Sequence, residues 1–257
     1  MGRITAFANR KGGVGKTSSC VNTAACIAET GARVLIVDAD PQGNATTGLG
    51  CRKCDLDGSV YDVLIRGEAA SSHVVPTCVN GLYLLPSNID LTGAEIELIY
   101  HNEYEKRLKS RIDGLKDDFD HIFIDCPPSL GLLTINALVA ADGVIIPMPC
   151  EYYALEGASQ LIGAIDIVKK SLNPSVTFDG ILLTMYDGRS LISRQIETEV
   201  RSHFGGAVYS TVIPKSVRIS EAPSYGVPVT LHDGDCRGAA AYRNFAAEYL
   251  TKLKQTP

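Results

Sequence analysis

The sequence predicts an α/β fold: a doubly wound, mostly parallel sheet with helices on both faces. Three observations predict it. Short β-branched or apolar runs alternate along the chain with segments of helical periodicity, which is the pattern of βαβ units. The runs Val34–Val37, Ile122–Ile124 and Val144–Pro147 are apolar without alternation, as expected of strands covered on both sides. A Gly-rich turn, Lys11–Thr17, lies where the first strand should meet the first helix. The chain has 257 residues, enough for one large core, and one domain over 1–257 is expected.

In chain order, the strand Ile4–Ala8 leads through the glycines into a helix over Thr17–Thr30. Val34–Val37 and Leu82–Leu85 follow as strands, then helices over Asn88–Tyr100 and Tyr104–Leu115. The strands Ile122–Ile124, Val144–Pro147 and Ile181–Met185 precede helices Leu133–Ala140, Leu155–Lys170 and Ser193–His203. Val208–Val212 closes the strand set, and Ala239–Lys254 forms the last helix. Its Tyr242, Phe245, Ala246, Tyr249, Leu250 and Leu253 recur at helical spacing, a stripe expected to dock on the body of the protein.

Composition narrows the function. With 45% hydrophobic and 21% charged residues the chain reads as a globular protein, without low-complexity runs or internal repeats. A net charge of −5 argues against a surface coated in positive potential, so nucleic-acid contact needs a local basic patch. No apolar run approaches the roughly 20 residues that span a bilayer, and no signal peptide is recognisable, so a cytoplasmic protein is expected. The cysteines at 20, 26, 51, 54, 78, 126, 150 and 236 read mostly as small buried hydrophobes. Cys51 and Cys54 have the spacing of a metal half-site, but no second pair follows, which favours an incidental loop.

In open α/β sheets ligands bind at the carboxyl ends of the strands, and the chemistry-bearing residues cluster there. Lys11, Gly12, Gly13, Val14, Gly15, Lys16 and Thr17, with Ser18, follow the first strand. Such a turn presents successive backbone N–H groups at a helix N-terminus, a cradle for phosphate. Lys16 then reaches the β- and γ-phosphates, and the Thr17 hydroxyl serves Mg²⁺. The regular pattern requires glycine at position 10, where Arg10 stands; an additional lysine, Lys11, replaces that feature. Asp125 ends the run His121–Ile124, where a Walker B aspartate holds Mg²⁺ directly or through water. Asp38 and Asp40 stand at the end of the second strand, where one can face the phosphate while the other faces elsewhere.

These residues, with the runs Asp38–Thr46, Asp125–Gly131, Cys150–Gly157, Leu183–Arg189 and Ile213–Ser224, closely resemble the ParA/Soj ATPases of chromosome and plasmid partitioning, over nearly the whole chain. The resemblance implies a deviant Walker A P-loop NTPase that hydrolyses ATP slowly with Mg²⁺. Lys11 becomes the signature lysine that crosses to the other subunit of an ATP-bound sandwich homodimer, and Gly13 lets the two loops approach. Asp40 matches the position that orients the attacking water, while Asp38 supports the site. Met185 and Pro214 match the surroundings of adenine. The resemblance further implies nonspecific binding of double-stranded DNA, a nucleoid location and stimulation by a ParB-type partner. Arg189 and Arg218 match DNA-contacting positions, with Lys215 and Arg194 as neighbours. The run Leu231–Cys236 departs from the family pattern, as do Arg10, Ser18 and Lys215-Ser216. A MinD-like membrane regulator would share the loop but end in a lipid-inserting helix. A ligase acting on small carboxylates would need a further substrate cluster, which the sequence lacks.

Overall fold

The computed structural model describes residues 2–151 and 154–255. Tyr152 and Tyr153 of the Cys150–Gly157 run lie outside the described residues. Eight strands among the described residues form one sheet: β1 (Arg3–Phe7), β2 (Val34–Asp38), β3 (Val75–Pro76), β4 (Leu82–Leu85), β5 (His121–Asp125), β6 (Gly143–Pro149), β7 (Thr177–Tyr186) and β8 (Val208–Pro214). Their spatial order is β3-β4-β2-β5-β1-β6-β7-β8, parallel throughout except where β3 runs against β4. The order reverses direction around β1. Chain leaving β1 crosses β5 to β2, whereas chain leaving β5 crosses β1 to β6, which opens a crevice at the carboxyl ends of β1, β2 and β5.

Two cores lie on opposite faces of the sheet because alternate residues of each strand point opposite ways. Leu35, Val37, Ile122 and Ile124 meet one set of helices: α3 (Leu91–Leu98), α4 (Arg107–Ile112), α5 (Leu132–Ala140), α6 (Ala154–Ser171) and α7 (Leu191–Phe204). Val34, Ile36 and Phe123 meet α1 (Lys16–Ala28) and the last helix, Arg237–Gln255. In that last helix Tyr242, Phe245, Ala246 and Tyr249 are buried, and the Tyr249 hydroxyl bonds to Thr5 Oγ1 at 2.8 Å. The predicted stripe therefore packs on the body and is not presented to a lipid surface. No helix among the described residues is long and apolar enough to cross a membrane.

The expected strands and long helices are present, with boundaries shifted by a few residues. The segment predicted as Tyr104–Leu115 divides into α4 and two flanking 3-10 turns, Tyr104–Lys106 and Asp113–Asp117. Periodicity did not predict β3, α2 (Asn44–Gly48), α8 (Val217–Glu221) or α9 (Val229–His232), which are too short to carry a period. Of the cysteines, 20, 26, 126 and 150 are buried as expected, whereas 51, 54, 78 and 236 retain exposure. No group of three metal-ligating side chains forms around Cys51 and Cys54 among the described residues.

Candidate functional site

The chain after β1 folds back as a loop whose shape depends on glycine. Gly13 (φ 71°) and Gly15 (φ 84°) are both left-handed, and Gly15 caps α1, so a side chain at either position would strain the turn. Side chains from neighbouring strands pin this loop. Buried Asn9 accepts the Lys11 N–H at 3.0 Å and donates to the Pro147 carbonyl at 2.8 Å. Pro147 has no N–H to offer β1 at the level where β1 leaves the sheet. The Thr184 hydroxyl on β7 donates to the Val14 carbonyl at 2.8 Å.

No side chain caps α1, and its first turn opens on a cavity of about 410 Å³. Gly12, Gly13, Gly15, Lys16, Thr17 and Ser18 line one side, and Asp40, Pro128, Met185 and Pro223 help to enclose it. Met185 takes a left-handed φ of 53°, rare for a residue with a side chain and typical of ligand-binding edges. Pro214 ends β8 beside Tyr186 and does not line the cavity; Pro223, which the sequence reading did not select, takes that place. A larger depression of about 780 Å³ runs along the outer face of α7, yet it gathers no converging carboxylates or backbone donors.

Lys16 is 6% exposed, and its ammonium donates to the Lys11 carbonyl at 3.0 Å. Burial lowers its pKa against the opposing pull of Asp125 and Asp40. Lys11 points the other way, with Nζ 3.6 Å from Glu151 in a pair exposed on both sides, worth little to stability. It is thus an outward-facing cation on the rim of the cradle.

The three aspartates differ in what holds them. Asp38 is buried with both carboxylate oxygens engaged: Oδ2 accepts the Thr46 N–H at 2.8 Å and hydroxyl at 2.7 Å, and Oδ1 accepts the Asp40 N–H at 3.3 Å. Thr46 in turn accepts the Ser87 N–H at 2.9 Å, and Ser87 donates to the Asp40 carbonyl at 2.7 Å. Asp38 therefore anchors the 39–46 loop to the end of β4. Asp40 borders the cavity, with Oδ1 accepting the Gln42 N–H at 2.9 Å. Asp125 is fully buried, and neither carboxylate oxygen has a partner in hydrogen-bond geometry, although the Thr17 hydroxyl lies near enough to oppose the rise in its pKa. An orphaned buried carboxylate beside a threonine hydroxyl is a donor set that suits Mg²⁺.

Burial pushes the Asp38 carboxyl up to about 6 and raises Asp125 well above the carboxylate range, helped by the charge of Asp38. A carboxyl that keeps its proton to higher pH in the fold stabilises the fold at low pH. That contribution is complete below about pH 4, where the unfolded carboxyl titrates. It is lost as pH rises through about 6. Urea unfolding of the nucleotide-free protein should therefore show wild type losing about 2 kcal/mol more than Asp38→Asn between pH 4.5 and 7. Equal losses would contradict the assignment.

The four basic residues of the sequence reading gather at one sheet edge. The Lys215 N–H bonds to the Tyr186 carbonyl at 2.9 Å, joining the β7–α7 and β8–α8 loops. Arg189 extends from the first loop with its side chain 94% exposed, and Arg194 is exposed in the first turn of α7. Arg218 sits on α8 between two carboxylates.

The AAA domain family model matches residues 2–178. The chain is 51% identical to the sporulation initiation inhibitor protein Soj of Bacillus subtilis, covering 96% of this chain and 98% of that protein. It is 46% identical to the chromosome partitioning protein ParA of Myxococcus xanthus, covering 98% and 89%. Among solved structures, it is similar to that of cobyrinic acid a,c-diamide synthase from Mycobacterium smegmatis with bound ADP and magnesium. That similarity has a TM-score of 0.88 and 39% identity, and covers 100% of this chain and 97% of the other.

Proposed function

Because the chain belongs to the AAA domain family and, within it, to the Soj and ParA chromosome-partitioning ATPases, we propose that it is an ATP-dependent DNA-partitioning ATPase. The observation that carries the reading at the site is the convergence of uncapped α1, buried Lys16, unpartnered Asp125 and the cavity-facing Asp40 on one cradle. The name of the Mycobacterium structure points to amide formation, but identities of 51% and 46% over nearly whole chains outweigh 39%.

In this reading the 12–18 backbone and Lys16 hold the phosphates of ATP, and Met185 borders the base. Thr17 and Asp125 would hold Mg²⁺, which when bound would neutralise charge on the phosphate oxygens. Asp40 orients the attacking water. Asp38, fully engaged with Thr46, keeps the Asp40 loop in place. Lys11 faces outward and completes the site of a second subunit in an ATP-dependent homodimer, where a compact ammonium stabilises γ-phosphate charge. Arg189, Lys215 and Arg218 bind nonspecific double-stranded DNA, and a ParB-type protein stimulates turnover on the nucleoid.

The test is DNA binding with ATP, ADP or no nucleotide, with molecular size measured in parallel. Binding is expected only with ATP, together with a doubled mass. Its affinity should fall steeply with salt, since each phosphate neutralised releases condensed counterions. DNA binding that is equal at low and high salt, or independent of nucleotide, would overturn the reading. ATP-dependent sedimentation with liposomes in place of DNA would favour a MinD-like role.

A further inference from the structure

Arg218 differs from the other basic residues at its edge. Its Nη1 donates to Glu221 Oε2 at 3.0 Å, three residues along α8, and its Nε lies 3.2 Å from Asp233 Oδ2 just beyond α9. Two of the three guanidinium nitrogens are thus occupied by carboxylates of the same chain. Lys215 and Arg194 make no ion pair among the described residues, and the only carboxylate paired with Arg189 is that of Asp187, at 3.5 Å from Nε.

Each of the two acidic residues makes further contacts. Glu221 also lies 3.7 Å from the His232 imidazole, whose ring packs on Tyr225 at 4.7 Å between centroids. Asp233 is fixed by its backbone, its N–H on the Val229 carbonyl at 2.9 Å and its carbonyl accepting the Cys236 N–H at 3.2 Å.

We propose that Glu221 and Asp233 act as an intramolecular rival for phosphate at Arg218, a brake that sets how tightly this edge holds a polyanion. The proposal rests on the DNA-binding reading of Arg218. One guanidinium beside two carboxylates leaves a local charge of about −1, so an approaching phosphate must displace an acid or meet its repulsion. Arg218 is 56% exposed and its partners 42% and 36%, so water screens each pair and the effect per carboxylate is modest. The brake makes binding weaker and less salt-dependent than a count of basic residues predicts.

The experiment uses the full-length ATP-loaded protein and a mixed-sequence DNA duplex, with affinity followed by fluorescence anisotropy over a range of salt. The near-isosteric changes Glu221→Gln and Asp233→Asn should each tighten binding about threefold, and the pair about tenfold. The pair should steepen the slope of log affinity against log salt by about 0.9 per protomer, one additional phosphate contact. Arg218→Ala should weaken binding, and in that background the two acid changes should have no effect, since a double-mutant cycle isolates coupling through Arg218. If the acid changes tighten binding equally without Arg218, the effect is general charge and the brake is overturned. No gain from the acid changes, with Arg218→Ala still weakening binding, overturns the brake while the DNA reading stands. Arg218→Ala binding like wild type removes Arg218 from the DNA surface and the proposal with it; absence of ATP-dependent binding by wild type would be failure of the DNA reading itself.

Discussion

Lys16→Ala is expected to abolish nucleotide binding, lowering ATP affinity by at least about 100-fold and reducing hydrolysis to background. Lys16 is the only buried cation bordering the cradle among the described residues, and it is flanked by the carboxylates of Asp125 and Asp40. Without its ammonium, polyphosphate meets two acidic groups with only backbone dipoles to offset them, and repulsion adds to the lost bonds. The fold should survive. The ammonium donates to one carbonyl, that of Lys11, on a loop held independently by Asn9 and Thr184. Removing a partly desolvated charge relieves strain, so the melting temperature without nucleotide should hold or rise slightly. Titration calorimetry with Mg-ATP measures the first effect and thermal unfolding the second; wild-type affinity in a folded variant would sink the role of Lys16.

The fold and the phosphate cradle were legible in the sequence because both rest on local signals. Unbroken apolar runs specify covered strands, and Gly15-Lys16-Thr17 at a helix start has few other uses. What stayed hidden depends on contacts between distant segments. Asn9 and Thr184 pin the loop across the sheet, and Thr46 and Ser87 tie the Asp38 loop to β4. A Thr eight residues after an Asp carries no recognisable pattern. Pro223 borders the cavity because the chain returns from β8 over the front of α1, which no spacing encodes. Pro214 illustrates the converse: its motif suggested the base-binding edge, but strand pairing with Tyr186 keeps it off the cavity wall. Basic residues could be counted, whereas Asp233 reaches Arg218 from a separate segment of the chain.

Sequence position alone left open which of Asp38 and Asp40 faces the phosphate, and hydrogen bonding supports Asp40. Both carboxylate oxygens of Asp38 are engaged, with Thr46 and the Asp40 N–H, and Asp38 does not line the cavity, so it is not placed to orient a water there. Asp40 uses Oδ1 for the Gln42 N–H, which leaves Oδ2 to orient water at the cavity wall. Asp40→Ala should therefore cut the hydrolysis rate about 10²- to 10⁴-fold, the range for losing a positioned base, while ATP affinity changes little. Because turnover is what would release the dimer, the variant should accumulate as an ATP-bound dimer that stays on DNA after free ATP is removed. Asp38→Ala should behave differently: it breaks the loop anchor, costs about 2 kcal/mol of stability, and lowers ATP affinity and turnover together. Single-turnover hydrolysis and dissociation from DNA, measured on both variants, separate these outcomes. Rapid turnover by Asp40→Ala, or a trapped dimer from Asp38→Ala with unchanged stability, would reverse the two assignments.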